Sequence, residues 1–168
     1  MLLALAVAYK ARKYSFLVSQ ASCCAWADLL SLPSANAQKL FFMVTPDSSL
    51  APRRRSSRTF YLGPNGQETP LCEQAAMFIL QSYQLKTNGF LVSTSLDEAT
   101  ANFAISAQQG SITTDFSVTA GYLLWSNVAF SNGSASFCVL DNTVSAVFRG
   151  PAPSGCSPVL LLATFGGN

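Results

Sequence analysis

The chain contains no histidine. That absence removes histidine-based catalytic triads, imidazole ligation of metals, and imidazole switching near neutral pH. Charge is scarce as well: Asp, Glu, Lys and Arg together make up 11% of 168 residues, against roughly a quarter in ordinary soluble domains. Also missing is any convincing ten-residue stretch with helical periodicity. What is present is 49% hydrophobic residues with abundant Ser, Thr, Asn, Gln and Gly. This is enough for one full core, and the balance suits a secreted β-rich domain better than a cytosolic helical one.

The small net charge of +2 conceals an asymmetry. Residues 1–58 carry eight basic side chains against two acidic ones, whereas residues 59–168 carry two basic against six acidic. A folded part that is acidic has no basic face with which to neutralise phosphates, so nucleic acid is not an expected partner. The basic surplus includes Arg53, Arg54, Arg55 and Arg58 in "DSSLAPRRRSSR". That segment has little to bury, and a solvated, mobile loop is expected at about residues 47–58.

Residues 1–37 read as a leader or as a mis-assigned N-terminus. Lys10, Arg12 and Lys13 precede an apolar stretch from Tyr14 to Leu32, and Ala35-Asn36-Ala37 follows with small residues where a signal peptidase needs them. Asp28 interrupts the stretch, and the run from Leu2 to Ala8 is too short to span a membrane, so no transmembrane helix is expected. Residues 38–168 are expected to form a single domain.

Within that domain one pattern recurs. Phe78-x-Leu80 is followed by Leu85, Phe116-x-Val118 by Leu123, and Phe137-x-Val139 by Val144. A spacing of two places the first pair on one strand face, and the intervening "QSYQ", "TAGY" and "LDNT" suit tight turns, so each unit reads as a hairpin. Successive hairpins predict an all-β fold, an antiparallel β-sandwich or a partly open barrel. The expected core centres on Phe78, Leu80, Phe103, Ile105, Ile112, Phe116, Val118, Phe137, Val139, Val147, Leu160 and Leu162.

The stretch Leu124-Trp125-Ser126-Asn127 through Phe130, Asn132-Gly133, Ala135 and Phe137-Cys138, with Pro153-x-Gly155-Cys156, resembles a family of fungal extracellular domains of unknown function. The resemblance runs from about Lys39 to Thr164. It implies secretion or display at the cell surface and a β fold, and no established activity.

Cysteine chemistry fits that compartment. Of five cysteines, Cys23 and Cys24 lie in the leader-like segment and have no ligand-rich neighbourhood, so no metal site is expected. A bridge between Cys138 and Cys156 would close a loop of useful length, with Cys72 to Cys156 as the competing pairing. On the first pairing Cys72 is a buried thiol, and no histidine is available to activate it. Paired acids are the remaining route to catalysis, but Asp97-Glu98 are sequence neighbours that diverge in an extended chain, and Asp115 and Asp141 meet only through the fold. No catalytic residue and no cofactor is expected.

Tyr83, Tyr122 and Trp125 form a candidate aromatic platform for sugar rings, although Trp125 falls in register with the core residues Phe116 and Val118. Asn132-Gly133-Ser134 is a glycosylation sequon, and Asn-Gly is also the dipeptide favoured by a type I′ turn. The expectation is therefore a non-catalytic extracellular or cell-surface module meeting a wall glycan or a protein, with weak carbohydrate binding. The alternatives are a carboxylate-based glycoside hydrolase and a structural wall component.

Overall fold

The structure is a computed structural model that describes residues 37–47, 49, 59–104 and 108–165. The leader-like residues before position 37, nearly all of the arginine-rich stretch and Ile105 lie outside the described residues. Twelve antiparallel strands form one sheet that curls into a half-barrel, the partly open form of the expected architecture. Among the described residues the single helical element is one 3-10 turn at Cys72–Gln74.

The three recurring hairpins are present with their aliphatic residues directly opposed. They comprise β4 (Phe78–Gln81) with β5 (Gln84–Thr87), β8 (Phe116–Thr119) with β9 (Tyr122–Trp125), and β10 (Ser136–Leu140) with β11 (Thr143–Val147). Their cross-strand pairs are Leu80 with Leu85, Val118 with Leu123, and Val139 with Val144. Each loop is two residues long with positive φ at both: Ser82 and Tyr83 (50° and 60°), Ala120 and Gly121 (51° and 86°), Asp141 and Asn142 (50° and 60°). This is the type I′ geometry, whose twist matches that of the flanking strands. Asn88 and Gly89 make a fourth such turn, joining β5 to β6 (Phe90–Leu91).

The sheet is organised around its two nine-residue strands. β1 (Gln38–Pro46) pairs with β12 (Ser157–Phe165) from Leu40 opposite Phe165 to Pro46 opposite Val159. The other edge of β12 is shared, with β10 at its start and β9 at Leu162. The other edge of β1 is shared as well, between β2 (Phe60–Leu62) and β4. β2 continues into β3 (Glu68–Thr69), and β7 (Thr100–Asn102) lies beside β11.

Alternation along β1 sends Leu40, Phe42 and Val44 into the concave core. Phe42 lies tilted against Phe78 at 5.1 Å between ring centroids, and Phe103 meets Phe137 edge-on at 5.2 Å. Phe78, Phe103, Ile112, Phe116 and Phe137 occupy the core as expected, with Leu80, Val118 and Val139 packed against it.

Three of the expected core residues are corrected. On β12 the core takes Val159 and Leu161, while Leu160 and Leu162 stand on the opposite face and are half-buried. Val147 is buried but belongs to that same opposite face; Val144, Ala146 and Phe148 point inward instead. The runs "SPVLLLATF" and "TVSAVF" place apolar residues on both faces, so hydrophobic pattern cannot choose between registers one residue apart.

Candidate functional site

Trp125 is a core residue and not part of an exposed platform, which corrects its candidacy for sugar stacking. It ends β9, is 1% exposed, and sits among Phe116 at 4.4 Å, Phe148 at 5.1 Å, Phe130 at 5.6 Å and Phe103 at 6.4 Å between centroids. Its indole Nε1–H donates to the carbonyl of Thr114 at 3.1 Å, which satisfies the one polar atom that burial would otherwise strand. With Phe116 stacked on it and almost none of its surface exposed, the ring is not open to a ligand.

The two tyrosines are accessible: Tyr83 is 69% exposed and Tyr122 is 36% exposed. Tyr83 lies in the β4–β5 turn, and its carbonyl accepts a hydrogen bond from the Phe116 N–H at 3.0 Å, which fixes the turn against the start of β8. Tyr122 starts β9, opposite Thr119 of β8. Tyr83 therefore abuts the Phe116 end of the β8–β9 ladder, and Tyr122 stands at its Thr119 end.

The backbone at Tyr83 is unusual. A φ of +60° is uncommon outside glycine, asparagine and aspartate, and the left-handed region costs a bulky L-residue about 1–2 kcal/mol. Asn-Gly is the preferred occupant of such a turn, yet this one holds Ser82-Tyr83 with the ring in solvent.

The acidic residues are engaged locally or lie on turns. Glu98 is committed locally: its Oε2 accepts from the buried Thr94 hydroxyl at 2.6 Å and from the Ser95 N–H at 3.0 Å. Asp115 accepts from the Thr114 hydroxyl at 3.2 Å, and Asp141 occupies a hairpin turn. Burial pushes the half-buried Glu68 carboxyl above its ordinary value. Among the described residues no group of three or more Cys, Asp or Glu side chains is placed to hold a metal ion.

Cys138 and Cys156 form a disulfide with a Cα separation of 5.5 Å. It joins β10 to the chain just before β12, on the face away from the core. Cys72, expected to be a free thiol, is also disulfide-bonded, which removes it as a nucleophile.

Asn132 is exposed in the loop between β9 and β10, but the Asn132-Gly133 pair is not a type I′ turn. Only Gly133 has positive φ, and its N–H closes a four-residue turn on the carbonyl of Phe130. The loop begins where Asn127 Oδ1 accepts the Ala129 N–H at 2.9 Å, an Asx turn that diverts the chain from the strand path. Val128 is left fully exposed beside it. Alternation alone carries a strand from Leu123 to Phe130 and gives no sign that Val128 stands in solvent, nor that Phe90 is 60% exposed on the edge strand β6.

These features define a disulfide-bonded all-β domain whose aromatic interior is sealed and whose distinctive side chains lie on turns. The family model described as Domain of unknown function (DUF7908) matches residues 36–166, and the chain belongs to that family. No curated protein and no solved structure matches it.

Proposed function

We propose that this is a non-catalytic extracellular or cell-surface domain that binds a glycan weakly through the exposed tyrosines of its hairpin turns. The observation that carries the reading is Tyr83: a large aromatic ring held in solvent on a left-handed backbone that a glycine or asparagine would occupy at lower cost. Strain retained at a turn is offset elsewhere in the fold and motivates a role for the strained residue. Tyr122, at the far end of the same ladder, supplies a second flat surface against which the C–H faces of a sugar can pack.

Support for the compartment comes from the Cys138–Cys156 bridge, since disulfides persist in oxidising surroundings, and from a sequon on an exposed turn. The absence of histidine and the local engagement of Glu98 favour binding over hydrolysis.

The test is a glycan array probed with the full chain secreted from a eukaryotic host, alongside Tyr83→Gly and Tyr122→Ala. Tyr83→Gly is expected to lose glycan binding while gaining about 1 kcal/mol of stability, because it relieves the turn. A loss of stability, or unchanged binding in both variants, would sink the reading, as would release of free sugar from a polysaccharide. Deglycosylation of the secreted chain should shift its mobility, and Asn132→Gln should abolish the shift.

A further inference from the structure

We propose that Asn88 is a site of spontaneous modification, where the chain converts its own asparagine to aspartate and isoaspartate through the Gly89 nitrogen. The sequence holds three Asn-Gly pairs: Asn65-Gly66, Asn88-Gly89 and Asn132-Gly133. In each, a glycine without a Cβ leaves its backbone nitrogen open to the preceding side chain. The fold separates the three. Attack requires the Asn-Gly peptide to rotate until its nitrogen faces the asparagine Cγ, so a peptide held by hydrogen bonds must break them first.

Two of the pairs are held. Gly66 is buried, its N–H donates to the Gly63 carbonyl at 3.1 Å, and its own carbonyl accepts from the Val144 N–H at 2.8 Å. The Gly133 N–H donates to the Phe130 carbonyl at 3.0 Å, and its carbonyl accepts from the Asn127 N–H at 3.0 Å. Asn88 and Gly89 are both exposed at the tip of the β5–β6 hairpin. Among the described residues neither the Asn88 carbonyl nor the Gly89 N–H has a backbone hydrogen-bond partner, and a Cβ on Gly89 would meet nothing within 4 Å. Opening is also cheap there, because β6 is a two-residue strand at the sheet edge.

The chemistry uses only solvent water. The Gly89 nitrogen bonds to Asn88 Cγ, the Cγ–Nδ2 bond breaks, and the amide proton leaves with Nδ2 as ammonia, giving a cyclic imide. Water then opens the ring at Cγ to leave aspartate, or at the backbone carbonyl carbon to leave isoaspartate, in which the main chain runs through Cβ. The second product lengthens the backbone of a turn whose type I′ geometry fits two ordinary residues. Pairing of β6 with β5 is lost with it, including the bond from the Val92 N–H to the Leu85 carbonyl at 2.8 Å.

The test is incubation of the full chain, exported to a bacterial periplasm so that Asn132 carries no glycan, at mildly alkaline pH, followed by peptide fragmentation that resolves each asparagine. Asn88 should convert several-fold faster than Asn65 and Asn132, and the three should converge when the chain is reduced and held in urea. Conversion of Asn65 or Asn132 as fast as Asn88 in the folded chain overturns the proposal. A lead for Asn88 that persists in urea assigns the reaction to local sequence and overturns the role of the fold. Gly89→Ala should slow conversion at Asn88 several-fold, and an unchanged rate would rule out attack by this nitrogen. In the isolated isoaspartate form amide exchange should rise at Val92 and stay slow at Val44; unchanged protection of Val92 would overturn the loss of β6.

Discussion

At Trp125 a single side chain holds four aromatic rings together and keeps its own polar atom bonded to Thr114. Truncation there removes the indole and leaves a cavity that rigid neighbouring rings cannot fill. Trp125→Ala should therefore cost about 3–5 kcal/mol, read as a fall in the denaturation midpoint with unchanged slope. Glu68 makes the opposite kind of case. Its carboxyl is raised by burial, so the folded state holds its proton more tightly than the unfolded chain does. Stability from this group is present below the unfolded value and is lost as pH rises from there through the folded value. Glu68→Gln should then be at least as stable as the parent at pH 7, with the gap closing below about pH 4. A parent chain that becomes relatively more stable toward neutral pH would contradict the assignment.

Among the elements, the hairpins were legible and the long strand was not, for reasons that lie in their side chains. Phe-x-aliphatic, two turn residues and a second aliphatic residue recur because a two-residue turn leaves one register only, and that register brings Leu80 to Leu85, Val118 to Leu123 and Val139 to Val144. "SPVLLLATF" carries no such mark, so which of Leu160 or Leu161 faces inward depends on the neighbours it meets, and sheet order depends on the same long-range pairings. Trp125 was readable as inward because it shares the hairpin register, while the end of β9 was not, since the Asx turn at Asn127 rests on one side-chain hydrogen bond. Two glycines separate turn chemistry from packing. A Cβ on Gly110 would come within 2.2 Å of the Thr94 carbonyl oxygen, where the Thr94–Ile112 bridge brings two backbones together. A Cβ on Gly89 would meet nothing within 4 Å. Gly110→Ala should cost roughly 1–3 kcal/mol through forced backbone movement, and Gly89→Ala about 1 kcal/mol from its positive φ alone. Thermal midpoints of the two variants would rank them, and the reverse order would contradict the close approach at Gly110.

At the scale of the molecule, the half-barrel depends on how β12 divides one of its edges between β10 and β9 while β1 occupies the other. β10 meets β12 through three residue pairs, far fewer than β1 does, and beyond it the sheet continues through β11 and β7, with one bridge from Gln67 to Thr143. The bridge from Cys138 to Cys156 crosses that short junction and closes a separation of 18 residues. Closing a loop of that size restricts the unfolded chain by about 3 kcal/mol, so Cys138→Ser with Cys156→Ser should lower stability by roughly that amount. The loss should also be uneven. The β1–β12 ladder keeps its full register without the bridge, whereas β10, β11 and β7 are held by the short junction, their own pairing and a few bonds from Gly66 to Glu68 and from the β9–β10 loop. Amide exchange in the double variant should rise first across Ser136–Leu140 and Thr143–Val147, with Phe42 and Val44 protected to the global limit. Equal acceleration of both regions would mean that the sheet opens as one unit, and that the bridge stabilises the whole half-barrel.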